Sequence, residues 1–282
     1  IEGLSNAIQR AKPIVPSKFV PYSEIPFSEP KKGLMSGWSG MDQHLRLTFP
    51  ELVTVTGTPG AGKSQWTLAW LCNLARLHNV KSAIIQLEDD PSRNRHDLMQ
   101  YAATWQHEHQ QTPEDWVDER FVTKVPPEPH GDEEVVTLEW LREAVEDAAL
   151  RHDCKVVLID PWNEIEHAFD RGFSETQYTN DALRKIKSLA RKFQIAIVIV
   201  THPSKGIVGK GIEDITLYDV SGSQAWNNKS DHGIIVHRDE GDTESKIKVA
   251  KCKSYKTMGF PGIVTMQFNP PTASFSFIRS GV

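Results

Sequence analysis

The stretch of sequence that decides the fold is Gly57-Thr58-Pro59-Gly60-Ala61-Gly62-Lys63-Ser64. Its spacing, G-x-x-x-x-G-K-[ST], lies between an apolar segment at Leu52–Thr56 and a helical pattern that runs from Lys63 to about His78. Glycines let a backbone wrap closely around phosphate groups, and the loop N–H groups and the helix N-terminus attract negative charge. The pattern therefore predicts a phosphate-binding loop, and the alternative is a glycine-rich turn without a ligand.

The residue types in this loop indicate a nucleoside triphosphate bound with Mg²⁺. Lys63 would reach the β- and γ-phosphates, and Ser64 would be a ligand of Mg²⁺. ATP, or another NTP or dNTP, is the predicted cofactor. We expect Lys63 to be an exposed loop residue. The remaining nucleotide-binding positions are the backbone groups of Gly57, Thr58, Pro59, Gly60, Ala61 and Gly62.

Apolar segments alternate with helical patterns beyond this loop, which predicts an α/β fold with a mainly parallel sheet and helices on both faces. The predicted strands are Leu52–Thr56, Ala83–Leu87, Val156–Asp160, Ile195–Val200 and Gly233–His237. The predicted helices run from Lys63 to about His78, from about Ser92 onward, and over about 138–150 and 175–192. Two alternating segments, Ile247–Ala250 and Ile263–Phe268, predict an antiparallel extension of the sheet.

Proline spacing and polarity define the predicted domain organisation. Residues 1–33 carry five prolines and are predicted to form a linker, and residues 34–282 the compact domain. The segment Trp105–Glu134 is polar, acidic and proline-containing, so it is predicted to be a surface insertion.

Composition narrows the class of protein. The chain has 282 residues, of which 39% are hydrophobic, as in a globular protein with a sizeable core. No apolar run approaches the ~20 residues that span a bilayer, so no membrane partner is expected. Three widely spaced cysteines argue against disulfides or a zinc site and indicate a reducing cytosol. A net charge of −5 predicts that any nucleic-acid binding is local.

Three polar residues follow predicted strands and are candidates for the chemistry. Asp160 ends a strand expected to lie beside the phosphate-loop strand, where it would hold Mg²⁺; the alternative is a strand cap. Glu88 follows the apolar strand Ala83–Leu87 and can accept a proton from an attacking water; the alternative is a solvated loop residue like its acidic neighbours. His202 ends a third strand and would hydrogen-bond to the γ-phosphate.

These elements, in this order, resemble the RecA-like hexameric replicative helicases, namely the bacterial DnaB type, the phage primase-helicases and mitochondrial Twinkle. The resemblance covers about 37–277 and is nearest to the Twinkle-like helicases of phages and prophages. The phosphate-binding loop alone is shared by many families. The other stretches that carry the resemblance are Leu87–Glu88, Leu158–His167, Thr201–Pro203, Leu217–Ser223 and Lys251–Lys253. Much more specific is Asp219–Ser223 followed by Asn228–Asp231.

The resemblance implies further roles at matching positions. Glu88 would be the catalytic base and His202 a γ-phosphate sensor. Loops 164–177 and 204–218 would line a central channel and contact DNA, with Lys205 and Lys210 as the cations unless this is an ordinary solvated loop. Residues Arg238 and Phe268 would pack near the nucleotide base or serve as framework.

One position departs from the family pattern. The family places an arginine finger, which acts on the neighbouring subunit's γ-phosphate, at the position of Lys253. A lysine neutralises charge but lacks the bidentate fork of arginine. Lys253, with Lys251, is the predicted finger, and Lys256 is the next candidate. Because Lys251 and Lys253 are two residues apart on a predicted strand, both side chains should point the same way, and the alternative is a basic solvent face that includes Lys246 and Lys248.

The function that this resemblance implies is NTP-driven movement along single-stranded DNA with duplex unwinding, by a homo-oligomer that forms a hexameric ring. A primase domain or protein is a further expected partner, and the expected location is the cytoplasm of a bacterial or phage-infected cell. Two alternatives stay open. One is a RecA-like recombination or regulatory ATPase that binds DNA without unwinding it, and the other is a nucleotide-gated binding module with negligible turnover.

Overall fold

The structure, a computed structural model, describes residues 19–27, 29–30, 32–126, 136–166, 174–207 and 209–278. The chain divides into two units, residues 1–31 and residues 32–282. The described part of the first unit contains a short 3-10 helix at Tyr22–Glu24. The predicted boundary lies two residues later, between 33 and 34. Among the described residues, no helix is long and apolar enough to cross a bilayer.

The second unit is built on a sheet of nine strands among the residues described. Six neighbouring strands are parallel, and their bounds are β3 Glu51–Gly57, β4 Ser82–Gln86, β5 Phe121–Lys124, β6 Val156–Asp160, β7 Ala196–Val200 and β8 His232–Arg238. Across the sheet they lie in the order β8-β3-β7-β6-β4-β5. The predicted α/β fold with a mainly parallel sheet is therefore confirmed.

The antiparallel extension is also confirmed and is longer than predicted. It contains β9 (Glu244–Cys252), β10 (Gly262–Asn269) and β11 (Ser274–Phe277), each antiparallel to its neighbour. A β-bulge interrupts the pairing of β8 with β9 near Gly233. A separate small sheet pairs β1 (Leu34–Met35) with β2 (Arg46–Leu47).

Helices cover both faces of the large sheet. On one face, α1 (Lys63–His78), α2 (Pro91–Ala103) and α4 (Pro113–Arg120) pack in a core that is rich in tryptophan. The short helix α3 spans Gln106–His109. The other face is covered by α5 (Leu138–Arg151), α6 (Glu175–Phe193) and α7 (Ser223–Lys229). The inner parallel strands β3, β6 and β7 are buried by both layers, which explains why their sequences are mostly apolar.

The prediction of a surface insertion over Trp105–Glu134 is wrong for the residues that the structure describes, 105–126. Trp116 is 1% exposed and packs with Val117 and Phe121 in the core. Phe121 opens β5, which pairs in parallel with β4 as the edge strand of the sheet. The polar composition misled because an edge strand and an outer helix each bury only one face.

The predicted position of the Asp160 strand is also wrong in one respect. Strand β3, which leads into the phosphate-binding loop, has β7 and β8 as its neighbours. Strand β7 lies between β3 and β6, the strand that Asp160 ends. The carboxyl ends of all these strands still meet at one edge, so one strand of separation does not remove Asp160 from the site.

Candidate nucleotide-binding and catalytic site

The phosphate-binding loop has the geometry that its glycines predict. Gly57 has φ +150°, and a Cβ atom there would lie 1.8 Å from the carbonyl oxygen of Val236. Gly62 has φ +81°, and a Cβ atom there would lie 2.7 Å from Nη2 of Arg238. Side chains at these positions would collide with strand β8, so glycine is required for the loop to fold back over the sheet. Helix α1 begins immediately afterwards, at Lys63.

The structure brings Glu88 and His202 together with the phosphate-binding loop and Asp160 around one open cleft of about 810 Å³, which does not include Lys253. It lies at the carboxyl edge of the parallel strands, where ligands bind in open α/β sheets. Its lining includes Gly60, Gly62, Lys63, Ser64, Glu88, Asp160 and His202.

Lys63 is buried, with 7% of its surface exposed, so the expectation of an exposed lysine is wrong. Its Nζ donates to the carbonyl oxygens of Gly57 and Thr58, at 3.4 and 3.2 Å. Burial lowers the pKa of Lys63, and the nearby carboxylates of Asp160 and Glu88 only partly oppose this. The loop folds over its own lysine and leaves the ammonium group facing carbonyl dipoles rather than a carboxylate.

Asp160 is the second buried charge of the cleft. Burial raises its pKa to about 6, although a hydrogen bond with Ser64 and the Lys63 charge both favour the carboxylate. The contact with Ser64 joins the two residues that the sequence assigns to Mg²⁺. A hydroxyl and a carboxylate are oxygen ligands of the kind that Mg²⁺ prefers, so these residues fit the predicted ion.

Glu88 and His202 form the outer side of the cleft. Nε2 of His202 lies 3.6 Å from Oε2 of Glu88, and their side chains are 39% and 56% exposed. Both groups are accessible to a ligand and to water, as a base and a phosphate sensor must be. Glu88 lies beyond the end of β4, and its neighbour Asp89 pairs with Arg93 at 2.8 Å instead of joining this contact.

Asn163 is a residue whose role the sequence analysis missed. It lies in a 3-10 helix, Trp162–Glu164, that follows β6. Its Oδ1 accepts hydrogen bonds from the backbone N–H of His202, at 2.8 Å, and from the hydroxyl of Thr201, at 3.2 Å. Asn163 therefore ties the end of β7 to the end of β6 and orients His202. A polar residue directly after Asp160-Pro161-Trp162 was the available signal.

Arg238 lies against the phosphate-binding loop, at the end of β8. Its guanidinium group is 4.6 Å from the ring centre of Phe268 and 5.9 Å from that of Phe275. Nε donates to Oγ of Ser245 at 2.8 Å, whereas the buried Nη2 has no hydrogen-bond partner among the described residues. Phe268 is 7% exposed, and its ring packs against the guanidinium group of Arg238. This arrangement favours the framework role for Phe268, with Arg238 between its ring and Gly62 of the phosphate-binding loop.

The predicted channel cations lie on the loop that follows His202. The side chain of Lys205 and residues 167–173 of the other predicted loop lie outside the described part of the structure. Lys210 pairs with Asp219, Nζ to Oδ1, at 2.5 Å. Burial of Asp219 would raise its pKa, but the hydrogen bonds from Lys210 and Thr216 outweigh it and the pKa is lowered.

The predicted finger lysines lie at the opposite, amino edge of the sheet. Strand β9 ends at Cys252, so Lys253 lies one residue beyond the strand on which it was predicted, although both side chains reach residues 227–231. Lys251 Nζ donates to the carbonyl oxygen of Asn227. Lys253 Nζ lies 3.1 Å from Oδ1 of Asp231, with its side chain 61% exposed. Both lysines therefore have partners within the chain that the sequence did not indicate.

Comparison with known protein families places this cleft in a known class. The family described as "AAA domain" matches residues 42–207, which contain the phosphate-binding loop, Glu88, Asp160 and His202. The chain belongs to this family.

One relative is the Twinkle homolog protein, chloroplastic/mitochondrial, of Arabidopsis thaliana, which is 28% identical over 263 residues. The match covers 86% of this chain but 36% of that protein, so the chain spans about a third of the length of this curated relative.

Two solved structures are similar in fold. The ATPase domain of G40P superposes with a TM-score of 0.68 at 16% identity, covering 92% of this chain and 96% of that one. A DnaB-like replicative helicase, described together with its interactions with primase, superposes with the same TM-score and identity and covers 92% and 65%. The predicted fold is confirmed by the two solved structures, and the resemblance to DnaB- and Twinkle-type helicases is confirmed as a similarity to these proteins.

Proposed function

We propose that this chain is the motor of a ring-shaped replicative DNA helicase, in which NTP hydrolysis drives translocation on single-stranded DNA and unwinding of the duplex. The observation that carries the proposal is the contact between Glu88 and His202 at the mouth of the phosphate cleft. His202 directly precedes the loop that carries Lys205 and Lys210. A change at the γ-phosphate can therefore reach the candidate DNA contacts over a few residues.

Each residue of the cleft has a defined task in hydrolysis. Lys63 binds the β- and γ-phosphates, and Ser64 and Asp160 hold Mg²⁺, which neutralises phosphate charge when bound. Glu88 accepts the proton of the attacking water, and His202 hydrogen-bonds to the γ-phosphate. Arg238, which lies beside Gly62 of the phosphate-binding loop, would pack near the nucleotide base. ATP is the natural first nucleotide to test, with other NTPs and dNTPs beside it.

The proposal also requires a second copy of the chain. Lys253, with Lys251, would complete the neighbouring subunit's site and contribute only after assembly into the expected hexameric ring. The Asp231 carboxylate holds Lys253 at the amino edge, so the ammonium group must leave Asp231 or share it with phosphate. Mixing Lys253→Ala with Lys63→Ala subunits, each nearly inactive alone, should restore some ATPase activity in mixed rings.

The partners follow from the same proposal. Single-stranded DNA passes through the ring, and a primase domain or protein acts beside it. A bacterial or phage-infected cytoplasm stays the predicted location, although the Arabidopsis relative is named for two organelles.

One set of assays separates this function from its alternatives. The helicase should hydrolyse ATP faster with single-stranded DNA and displace a strand from a forked duplex, and its mass with a non-hydrolysable nucleotide should be that of a ring. DNA-stimulated hydrolysis without strand displacement would indicate a recombination or regulatory ATPase. Nucleotide binding with negligible turnover, in the presence or absence of DNA, would indicate a gated binding module.

A further inference from the structure

The loop between β7 and α7 is closed at its base. Pro203 pairs with Val220 in an isolated β-bridge, and the Ser204 N–H donates to the Asp219 carbonyl oxygen at 2.6 Å. The ends of the loop are therefore fixed next to His202. A closed base alone leaves the residues between these two ends free to adopt many conformations, so further contacts are needed to hold the middle of the loop.

Apolar side chains seat this loop on the face of β8 and β9. Ile207, Ile212 and Ile215 are each no more than 2% exposed and pack with Ile235 of β8. Ala250 of β9 packs against the same cluster. The tip that carries Lys210 lies between two of these anchors, Ile207 and Ile212.

Lys248 of β9 makes the polar contacts of this seat. Its Nζ donates to the carbonyl oxygens of Ile212, Glu213 and Ile215, at 3.1, 2.5 and 2.8 Å. An ammonium group has three N–H donors, and here all three are directed at the backbone of the loop. Burial lowers the pKa of Lys248, although the nearby acids Glu213, Asp214 and Asp219 oppose that shift.

We propose that Lys248 is a positioning residue for DNA binding, which pins the middle of the loop to β9 and thereby fixes where Lys210 stands. The inference rests on the proposed function, in which this loop contacts DNA. Lys248 itself has no N–H left for a phosphate, so it acts through the loop. Without it, three carbonyl groups lose their donor, two of them in partly buried contacts, and the apolar anchors alone hold the Lys210 tip.

The test compares Lys248→Met with Lys246→Met. Lys246 lies two residues earlier on the same face of β9 and has no side-chain hydrogen bond or ion pair among the described residues. Lys246→Met therefore removes the same charge as Lys248→Met but removes no contact with the loop. Binding of a fluorescent oligothymidylate is measured by anisotropy with a non-hydrolysable ATP analogue. Amide hydrogen exchange of residues 212–216 reports the loop independently of DNA.

We expect Lys248→Met to weaken DNA binding by about threefold, and by no more than Lys210→Met does, because Lys248 acts only through the position of Lys210. Exchange at residues 212–216 should accelerate, while basal ATPase activity without DNA stays at the wild-type level. Lys246→Met should change affinity by less than about twofold. Adding Lys210→Met to Lys248→Met should cost less than Lys210→Met costs alone, because a displaced tip has little contact left to lose.

Each outcome has one meaning. If wild-type protein does not bind the oligonucleotide, the proposed function fails and takes this inference with it. If wild type binds but Lys248→Met behaves like Lys246→Met, only the inference is overturned. Additive losses in the double variant would make Lys248 a direct phosphate contact and also overturn it. Should Lys248→Met not fold, Lys248→Arg keeps the charge but replaces a compact donor by a planar fork, and intermediate affinity with faster loop exchange is the supporting result.

Discussion

Two buried carboxylates at opposite edges of the central sheet, Asp160 and Asp231, have pKa shifts of opposite sign. At the carboxyl edge, burial lowers the pKa of Lys63 and raises that of Asp160 to about 6, so both groups shift toward their neutral forms. At the amino edge, Asp231 is also buried, yet hydrogen bonds from Lys187 and the Leu52 N–H lower its pKa. Burial alone would lower the pKa of His232, but the adjacent Glu51 carboxylate raises it to about 10.

The difference separates a binding site from a structural network. Asp231 holds two ammonium groups, Lys187 at 2.8 Å and Lys253 at 3.1 Å, so the folded chain satisfies its charge. Among the described residues, Lys63 has no carboxylate within 4.0 Å. A buried charge without a partner is unfavourable, and a phosphate or a metal ion can supply the missing partner. The nucleotide is therefore expected to complete the electrostatics of the carboxyl edge, whereas Asp231 at the amino edge already has its partners.

The largest expected effect is the loss of Lys63. Lys63→Ala should reduce ATP hydrolysis by more than about 10³-fold, because Lys63 is the phosphate-loop lysine that would bind the β- and γ-phosphates. Its free energy of unfolding should hardly fall, since the buried ammonium group has no carboxylate partner to lose. Steady-state hydrolysis and urea unfolding of the same preparation measure both quantities.

The matched control lies at the amino edge. Lys187 Nζ donates to Asp231 and to the Lys229 carbonyl oxygen, so Lys187→Met should destabilise the fold by about 2 kcal/mol while hydrolysis continues. If Lys63→Ala retains wild-type hydrolysis while folded, the phosphate-loop assignment is wrong. If it destabilises the fold as much as Lys187→Met does, the contrast between the edges is wrong.

Glu88→Gln should have the next largest effect. Removing the base should lower the rate at saturating ATP by roughly 10²-fold or more and leave nucleotide affinity unchanged, because glutamine keeps the shape but cannot accept the proton. Asp89→Asn is the control, since Asp89 is an exposed neighbour paired with Arg93. Lower affinity with a preserved saturating rate would show that Glu88 is not the base.

Much of the carboxyl edge could be predicted from sequence because each of its groups directly follows a strand or opens a helix. The spacing of Gly57 to Ser64 and the apolar runs before Asp160 and His202 are local signals. The edge strand β5 could not be predicted in the same way, because its four residues bury Phe121 but leave Thr123 and Lys124 exposed. Its place depends on Trp116 packing into the core, which is a tertiary effect.

The contacts at the amino edge could not be predicted from the sequence for a different reason. Asp231 contacts Lys187, Leu52 and Lys253, which are 44, 179 and 22 residues away along the chain, and no local pattern reports such partners. The order of strands was equally hidden, since the apolar sequence of β7 does not indicate that it separates β3 from β6. Burial of Lys63 depends on the loop closing over it, which the loop motif alone does not specify.

Asp160 provides a pH test of the contrast. The pKa of this carboxyl is raised from 3.8 in the unfolded chain to about 6 in the folded one, so ionisation becomes costly to the fold as pH rises through that window. Asp160→Asn removes this cost. The stability of the variant relative to wild type should therefore rise between pH 4 and pH 7, by up to roughly 3 kcal/mol. Urea unfolding at both pH values measures it.

Ionisation of Asp160, which is costly to the fold, should favour the binding of Mg²⁺. Mg²⁺ needs the carboxylate, so wild-type affinity for the Mg²⁺–ATP complex should fall as pH drops below about 6. Calorimetric titration at a series of pH values checks this. Asp231→Asn, at the amino edge, should instead lose stability at neutral pH, because its lowered pKa means that the carboxylate stabilises the fold. A stability difference for Asp160→Asn that does not change with pH would contradict the raised pKa.

The smallest expected effect is that of replacing Lys210, a cation that already has a carboxylate partner although its loop follows the carboxyl edge. Its loop follows β7 at the carboxyl edge, yet Lys210 is paired with Asp219 as an amino-edge charge would be. A DNA phosphate must displace this carboxylate, so the gain in affinity from the contact should be modest. Lys210→Met should reduce the slope of log affinity against log salt by roughly one unit or less, and Lys246→Met should leave the slope unchanged. Anisotropy of labelled single-stranded DNA between about 50 and 200 mM salt measures the slope. An unchanged slope for Lys210→Met would mean that the Asp219 pair persists on DNA, and Lys210 would then belong with the structural charges of the amino edge.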